Sequence, residues 1–140
     1  MTGVYNVGSV EETWELAQKF AADLKSGDIV CLEGDLGAGK TTFTQGLASA
    51  LGVKGRVTSP TFCLVQEHAS GDGARLLVHM DLYRLHDEGD VEAIGWDDYL
   101  ERGAILVVEW PDRAGTLIPR SARHVTFAIQ GEEKRIIRID

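Results

Sequence analysis

The run Gly34-Asp35-Leu36-Gly37-Ala38-Gly39-Lys40-Thr41, followed by Thr42, has the spacing G-x-x-x-x-G-K-[ST]. Glycines at such positions let successive backbone N–H groups turn inward on phosphate oxygens. A helix opening behind them adds the partial positive charge of its N-terminus. In that arrangement Lys40 reaches the β/γ-phosphates and Thr41 offers its hydroxyl to Mg²⁺. Two carboxylates are candidates for the acid that holds the metal. Asp81 ends the alternating run from Arg75, and Glu109 ends the most continuously apolar run, Ala104 to Val108. An acid at the end of a buried strand serves a phosphate-loop site in this way, directly or through water. Glu109 is the preferred neighbour of Mg²⁺ with Thr41, because its strand is the better buried. Asp81 then acts through a water or polarises the attacking water. Trp110, beside Glu109, either flanks the phosphates or caps the sheet edge, and spacing leaves both open.

These residues need elements to place them. Asp28 to Glu33 is apolar and β-branched, a buried strand leading into the loop. Phe43, Leu47, Ala50 and Leu51 recur at helical spacing behind it, and Gly52 is the stop. Upstream, Val4 to Val7 forms a short edge strand, and Ser9-Val10-Glu11-Glu12 is a capping box. The helix it opens carries Val10, Trp14, Ala17, Ala21 and Leu24 on one stripe, so Trp14 and Phe20 belong to the core. Thr61 to Gln66 and Arg75 to Asp81 alternate around a polar turn, a hairpin signal. Asp90 to Glu101 is one or two short helices broken at Gly95, with Trp96, Tyr99 and Leu100 packing. Arg123 to Ile129 and Lys134 to Asp140 form a closing antiparallel hairpin. The polar stretch holding Thr58, Ser59, Pro60 and Thr61 lies where a nucleotide-sensing switch commonly sits, or is a plain surface connection.

Composition bounds the function. The 140 residues are 44% hydrophobic and 26% charged, enough for one compact domain spanning residues 1–140 with a real core. A formal net charge of −8 argues against this chain gripping DNA or tRNA by itself, because phosphates are repelled. Any nucleic-acid role then runs through a partner. Cys31 and Cys63 lie in apolar runs without metal spacing, as buried thiols of a cytoplasmic protein do. No long apolar span points to a membrane.

Among phosphate-loop proteins, a common GTPase is excluded. Asn6 is the only asparagine, so the guanine-reading N-K-x-D element cannot exist. Asp112-Arg113-Ala114-Gly115 matches D-x-x-G by accident, beyond the strand end. A small-molecule kinase lacks chain for an acceptor lid. Two readings remain besides it: an ATPase, and a module in which ATP occupancy alone gates docking.

L-E-G-D-L-G-A-G-K-T-T-F (Leu32 to Phe43), T-S-P-T-F (Thr58 to Phe62), H-M-D-L-Y-R-L (His79 to Leu85) and V-E-W-P (Val108 to Pro111) occur in this order. Together they resemble the TsaE (YjeE) family of bacterial ATPases over nearly the whole chain. The resemblance implies a P-loop NTPase-like α/β three-layer sandwich around a mixed, mainly parallel sheet, with antiparallel hairpins. It implies ATP as substrate, Mg²⁺ as cofactor, and TsaB- and TsaD-like protein partners. With them the family makes N6-threonylcarbamoyladenosine beside the anticodon of tRNA, hydrolysing ATP to reset the complex between turnovers. Lys40 and Thr41 match the family's phosphate and Mg²⁺ residues, Glu109 its metal-proximal acid, Asp81 its H-x-D-x-Y-R aspartate and Trp110 its site tryptophan. Thr58 to Thr61 match the switch-like segment. Arg84 either stabilises developing charge or braces Asp81. Met80 stands where the family often has Phe, and a short C-terminus puts base contacts from that end in question.

Overall fold

The computed structural model describes residues 1–35, 37–60 and 64–140. The chain runs β1 (Gly3–Val7), α1 (Val10–Ala21), β2 (Ile29–Gly34), α2 (Lys40–Ala50), β3 (Val65–Ala69), β4 (Leu76–Asp81), α3 (Glu88–Ala93), α4 (Trp96–Glu101) and β5 (Ile105–Glu109). A 3₁₀ segment, Pro111–Leu117, leads to β6 (Arg123–Ile129) and β7 (Arg135–Ile139). One seven-stranded sheet has the order β1-β7-β6-β2-β5-β4-β3. Its central strands β6, β2, β5 and β4 run parallel, and the edge pairs are antiparallel.

Strand alternation sends side chains to two cores, one on each face. Val30, Leu32, Val107 and Phe127 pack with Leu16, Phe20, Phe43 and Leu47 of α1 and α2. Cys31, Met80, Leu106 and Val108 pack with Val91, Trp96 and Ala114. Helices therefore cover both faces, as a parallel sheet core requires, and the expected three-layer α/β sandwich is what forms. The buried strand before the loop, the central strand before Glu109, the break at Gly95 and the closing hairpin all stand where their patterns place them.

Three details differ. Ser9 Oγ accepts the Glu12 N–H at 3.2 Å, but the Glu12 carboxylate takes the Gly8 N–H at 2.8 Å, so the reciprocal half of the cap lies one residue early. The buried face of α1 is Thr13, Leu16, Ala17, Phe20 and Ala21, rotated from the expected stripe. Phe20 is core, but Val10 lies at the helix end and Trp14 at the rim of the α1–α2 crossing, where the residue stays 38% exposed. On α2 Ala48 is buried where Ala50 was expected. The first hairpin strand begins at Val65; the expected start at Thr61 lies outside the described residues.

Two glycines are fixed by geometry at the loop. A Cβ on Gly34 would stand 2.9 Å from the Phe127 carbonyl oxygen, closer than side chains tolerate. Gly39 caps α2 with φ of 112°, a left-handed backbone that side chains disfavour.

Candidate functional site

Parity brings the two acids to the loop. On β4, Leu77 faces the α1–α2 side and Val78 and Met80 the other, so His79 and Asp81 share the side of α2. On β5, Ile105 and Val107 face that same side, and so does Glu109. The parallel register pairs Asp81 directly with Glu109, and both strands end there. Asp81 and Glu109 thus sit side by side at the carboxyl edge of the sheet, where open α/β folds hold ligands. Both are buried.

They line a cleft of about 560 Å³ together with Gly34, Asp35, Gly37, Gly39, Lys40, Thr41, Thr42, Ser59, Tyr83 and Trp110. That volume is in the range of small-molecule sites. Ala38 lies buried beneath the loop and donates its N–H to the Asp35 carbonyl at 3.0 Å. Thr58 is exposed outside the cleft, its hydroxyl accepting from Gln66 Nε2 at 3.2 Å. Leu36 and Thr61 lie outside the described residues.

The two acids are held differently. Glu109 Oε2 lies 2.6 Å from His79 Nε2, and Glu109 Oε1 lies 3.6 Å from Lys40 Nζ. Lys40 itself donates to the Gly34 carbonyl at 2.7 Å. Asp81 Oδ1 accepts the Tyr83 N–H at 3.0 Å, and the Asp81 N–H donates to the Leu64 carbonyl at 2.8 Å. Arg84 does not brace Asp81: it is exposed and forms no ion pair among the described residues.

Trp110 follows Glu109 with φ of 59°, a conformation unusual for a bulky residue. Its ring lies 4.9 Å from that of Tyr83, and the Arg113 guanidinium stands 5.9 Å from it. The pair forms the outer wall of the cleft beside the acids.

A second hollow of about 240 Å³ shares Gly37, Gly39 and Thr42 with the first and lies on the β6–β7 side of the loop. Ser9, Val10, Thr13, Glu132, Glu133 and Arg135 complete it. Arg135 donates to the Gly37 carbonyl at 3.0 Å and to the Gly131 carbonyl at 2.9 Å, which anchors the β6–β7 turn on the loop. The C-terminal hairpin therefore touches the phosphate loop.

Sequence reasoning set His79 and Tyr83 with Asp81 in one polar strand end but gave neither a role, and it missed Arg135. The signal for His79 was its place two residues before Asp81 on a strand, which puts both on one face. Arg135 carried no comparable signal, because its partner is a backbone carbonyl nearly a hundred positions away.

The donors suit Mg²⁺. The Thr41 hydroxyl and the Glu109 and Asp81 carboxylates are hard oxygens at a phosphate loop, and Mg²⁺ takes one or two carboxylates plus substrate phosphates. Among the described residues no cluster of three or more His, Cys, Asp or Glu side chains makes a self-contained metal cage.

Residues 7–137 match the family model described as threonylcarbamoyl adenosine biosynthesis protein TsaE. The chain is 42% identical to the tRNA threonylcarbamoyladenosine biosynthesis protein TsaE of Bacillus subtilis, over 91% of its own length and 78% of the relative's. It is 47% identical to the TsaE of Aquifex aeolicus, over 75% and 74% of the two chains. The solved structure of Bacillus subtilis YdiB superposes with a TM-score of 0.79 at 34% identity, covering 99% of this chain and 84% of that one.

Proposed function

The chain belongs to the TsaE family of tRNA threonylcarbamoyladenosine biosynthesis, and from that premise we propose that it is the Mg-ATP-hydrolysing subunit of the modification machinery. One observation carries the reading: a phosphate loop and two strand-end carboxylates share one cleft. A loop alone argues only for phosphate. Acids at its γ-phosphate end argue for a metal-assisted triphosphate.

The site also has a direction. Asp81 and Glu109 stand on the β4–β5 side of the loop, and the second hollow stands on the β6–β7 side. The γ-phosphate belongs beside the acids, and the nucleoside leads away across Thr42 toward Ser9, Thr13 and the β6–β7 turn. Lys40 leaves the Gly34 carbonyl to bind the β/γ-phosphates. Thr41 and Glu109 hold Mg²⁺, which neutralises charge developing on the phosphates when bound. Asp81 orients the attacking water, and Tyr83 and Trp110 shield that end of the cleft from bulk solvent. Ser59 lines the same cleft, and through it the switch-like stretch senses the γ-phosphate.

The output is a protein complex. With a net charge of −8, the chain docks on TsaB- and TsaD-like partners in the cytoplasm and leaves tRNA to them. Hydrolysis resets that complex between turnovers. Reconstituted modification with the partner proteins tests this. With ATP, product should accumulate far beyond the amount of complex. With a non-hydrolysable ATP analogue it should stop after about one cycle per complex. Undiminished multiple turnover on the analogue would mean that occupancy alone suffices.

A further inference from the structure

His79 is fully buried and does not line the cleft, so it cannot touch a nucleotide. Its Nε2 nonetheless lies 2.6 Å from Glu109 Oε2, a short, charge-assisted contact. Its other ring nitrogen, Nδ1, is buried without a hydrogen-bond partner among the described residues. One proton arrangement fits a neutral ring. With the proton on Nε2 the carboxylate is satisfied and only the Nδ1 lone pair is orphaned. With the proton on Nδ1, a buried N–H is orphaned and two lone pairs face each other.

Glu109 is shared between this ring and Lys40. Its second oxygen lies 3.6 Å from Lys40 Nζ, beyond hydrogen-bond length, while Lys40 is committed to the Gly34 carbonyl at 2.7 Å. Binding a triphosphate must draw Lys40 toward the phosphates. A carboxylate on a flexible stem, with no other anchor, would follow the cation or collapse against it. We propose that His79 is a positioning residue: its Nε2–H pins one Glu109 oxygen to β4, so that the other stays aimed at the metal while Lys40 moves. Groups that orient metal-binding side chains act in this way and are commonly worth about 10–100-fold in metal affinity.

The assignment rests on the Mg-ATP reading, and its test separates the two. ATP binding to the intact chain is measured by calorimetry across a Mg²⁺ series for wild type, His79→Gln and His79→Met. Glutamine places an amide N–H near the position of Nε2, whereas methionine fills the space without a donor. His79→Met should need about 10–100-fold more Mg²⁺, with metal-free ATP binding as in wild type, and His79→Gln should recover most of the loss. An unchanged Mg²⁺ requirement in His79→Met, or equal impairment in both variants, overturns the role of His79 alone. A wild-type chain whose ATP binding ignores Mg²⁺ overturns the Mg-ATP reading and this role with it. Should His79→Met fail to fold, ¹⁵N NMR of the unaltered protein decides: the Nε2–H tautomer is expected, and Nδ1–H contradicts it.

Discussion

At the scale of single residues, the cleft is short of positive charge. Lys40 is its one cation among the described lining residues, against Asp35, Asp81 and Glu109. Free ATP therefore meets repulsion that Mg²⁺ relieves, and ATP should bind more tightly with Mg²⁺ than without it, as equilibrium titration would register. Replacing Lys40 with Ala should remove most nucleotide binding. Glu109→Gln and Asp81→Asn keep size and hydrogen bonding but lose charge. Each should lower phosphate release by about 10²–10³-fold, the usual cost of one preorganised electrostatic group, while ATP still binds. Cys31 makes a separate case. It is fully buried, and burial, helped by the Glu33 carboxylate, pushes its thiol up to about 12. In a Cys63→Ser background it should resist a thiol reagent at pH 8 until the chain is unfolded in denaturant, and rapid labelling of the folded protein would contradict this placement. The thiol's folded value lies above its ordinary 9.0, so its contribution to stability is complete below pH 9 and is lost as pH climbs toward 12.

At the scale of elements, α1 crosses α2 at close range. A Cβ on Gly46 would stand 2.6 Å from Ala17 Cβ and 2.9 Å from the Trp14 carbonyl oxygen, so the helices meet at a bare backbone. Gly46→Ala should destabilise the fold by about 1–3 kcal/mol through overpacking, despite alanine's better helix propensity, and a lower urea midpoint would record it. The same crossing explains where sequence reading of α1 went astray. A stripe drawn from Val10 through Trp14 obeys helical spacing, but the approach at Gly46 sets which residues face inward, and it puts Trp14 on the rim. There the indole donates to Gln45 Oε1 at 3.2 Å, and Gln45 Nε2 donates to the Val57 carbonyl at 3.0 Å, tying both helices to the stretch before Thr58. The strands were more legible than the helix face. Ala104 to Val108 has apolar side chains on both faces, which only a central strand buries, and β5 lies between β2 and β4. Pairwise contacts across the sheet, such as His79 with Glu109, were visible only once register was known.

At the scale of the whole molecule, topology does what the loop cannot. The parallel strands β2, β4 and β5 end at one edge, so the loop after β2 meets acids from two strands far apart in sequence. The loop, its strand and its helix were readable from spacing, because glycine positions and apolar runs are local. The second hollow was not, because it is assembled from the start of α1 and the β6–β7 turn at opposite ends of the chain. The surface follows its composition: the isolated chain should bind tRNA weakly at physiological salt, and tight, salt-dependent retention in a filter assay would contradict the partner-docked reading. Among the described residues no helix is long and apolar enough to cross a membrane.

We propose that this cleft hydrolyses ATP. Phosphate release by the purified chain, with and without TsaB- and TsaD-like proteins, measures it directly. Mg²⁺-dependent release over many turnovers is expected, faster with the partners, and lost in Glu109→Gln although that variant still binds ATP. Stoichiometric ATP binding with no phosphate released, alone or in the complex, would contradict it.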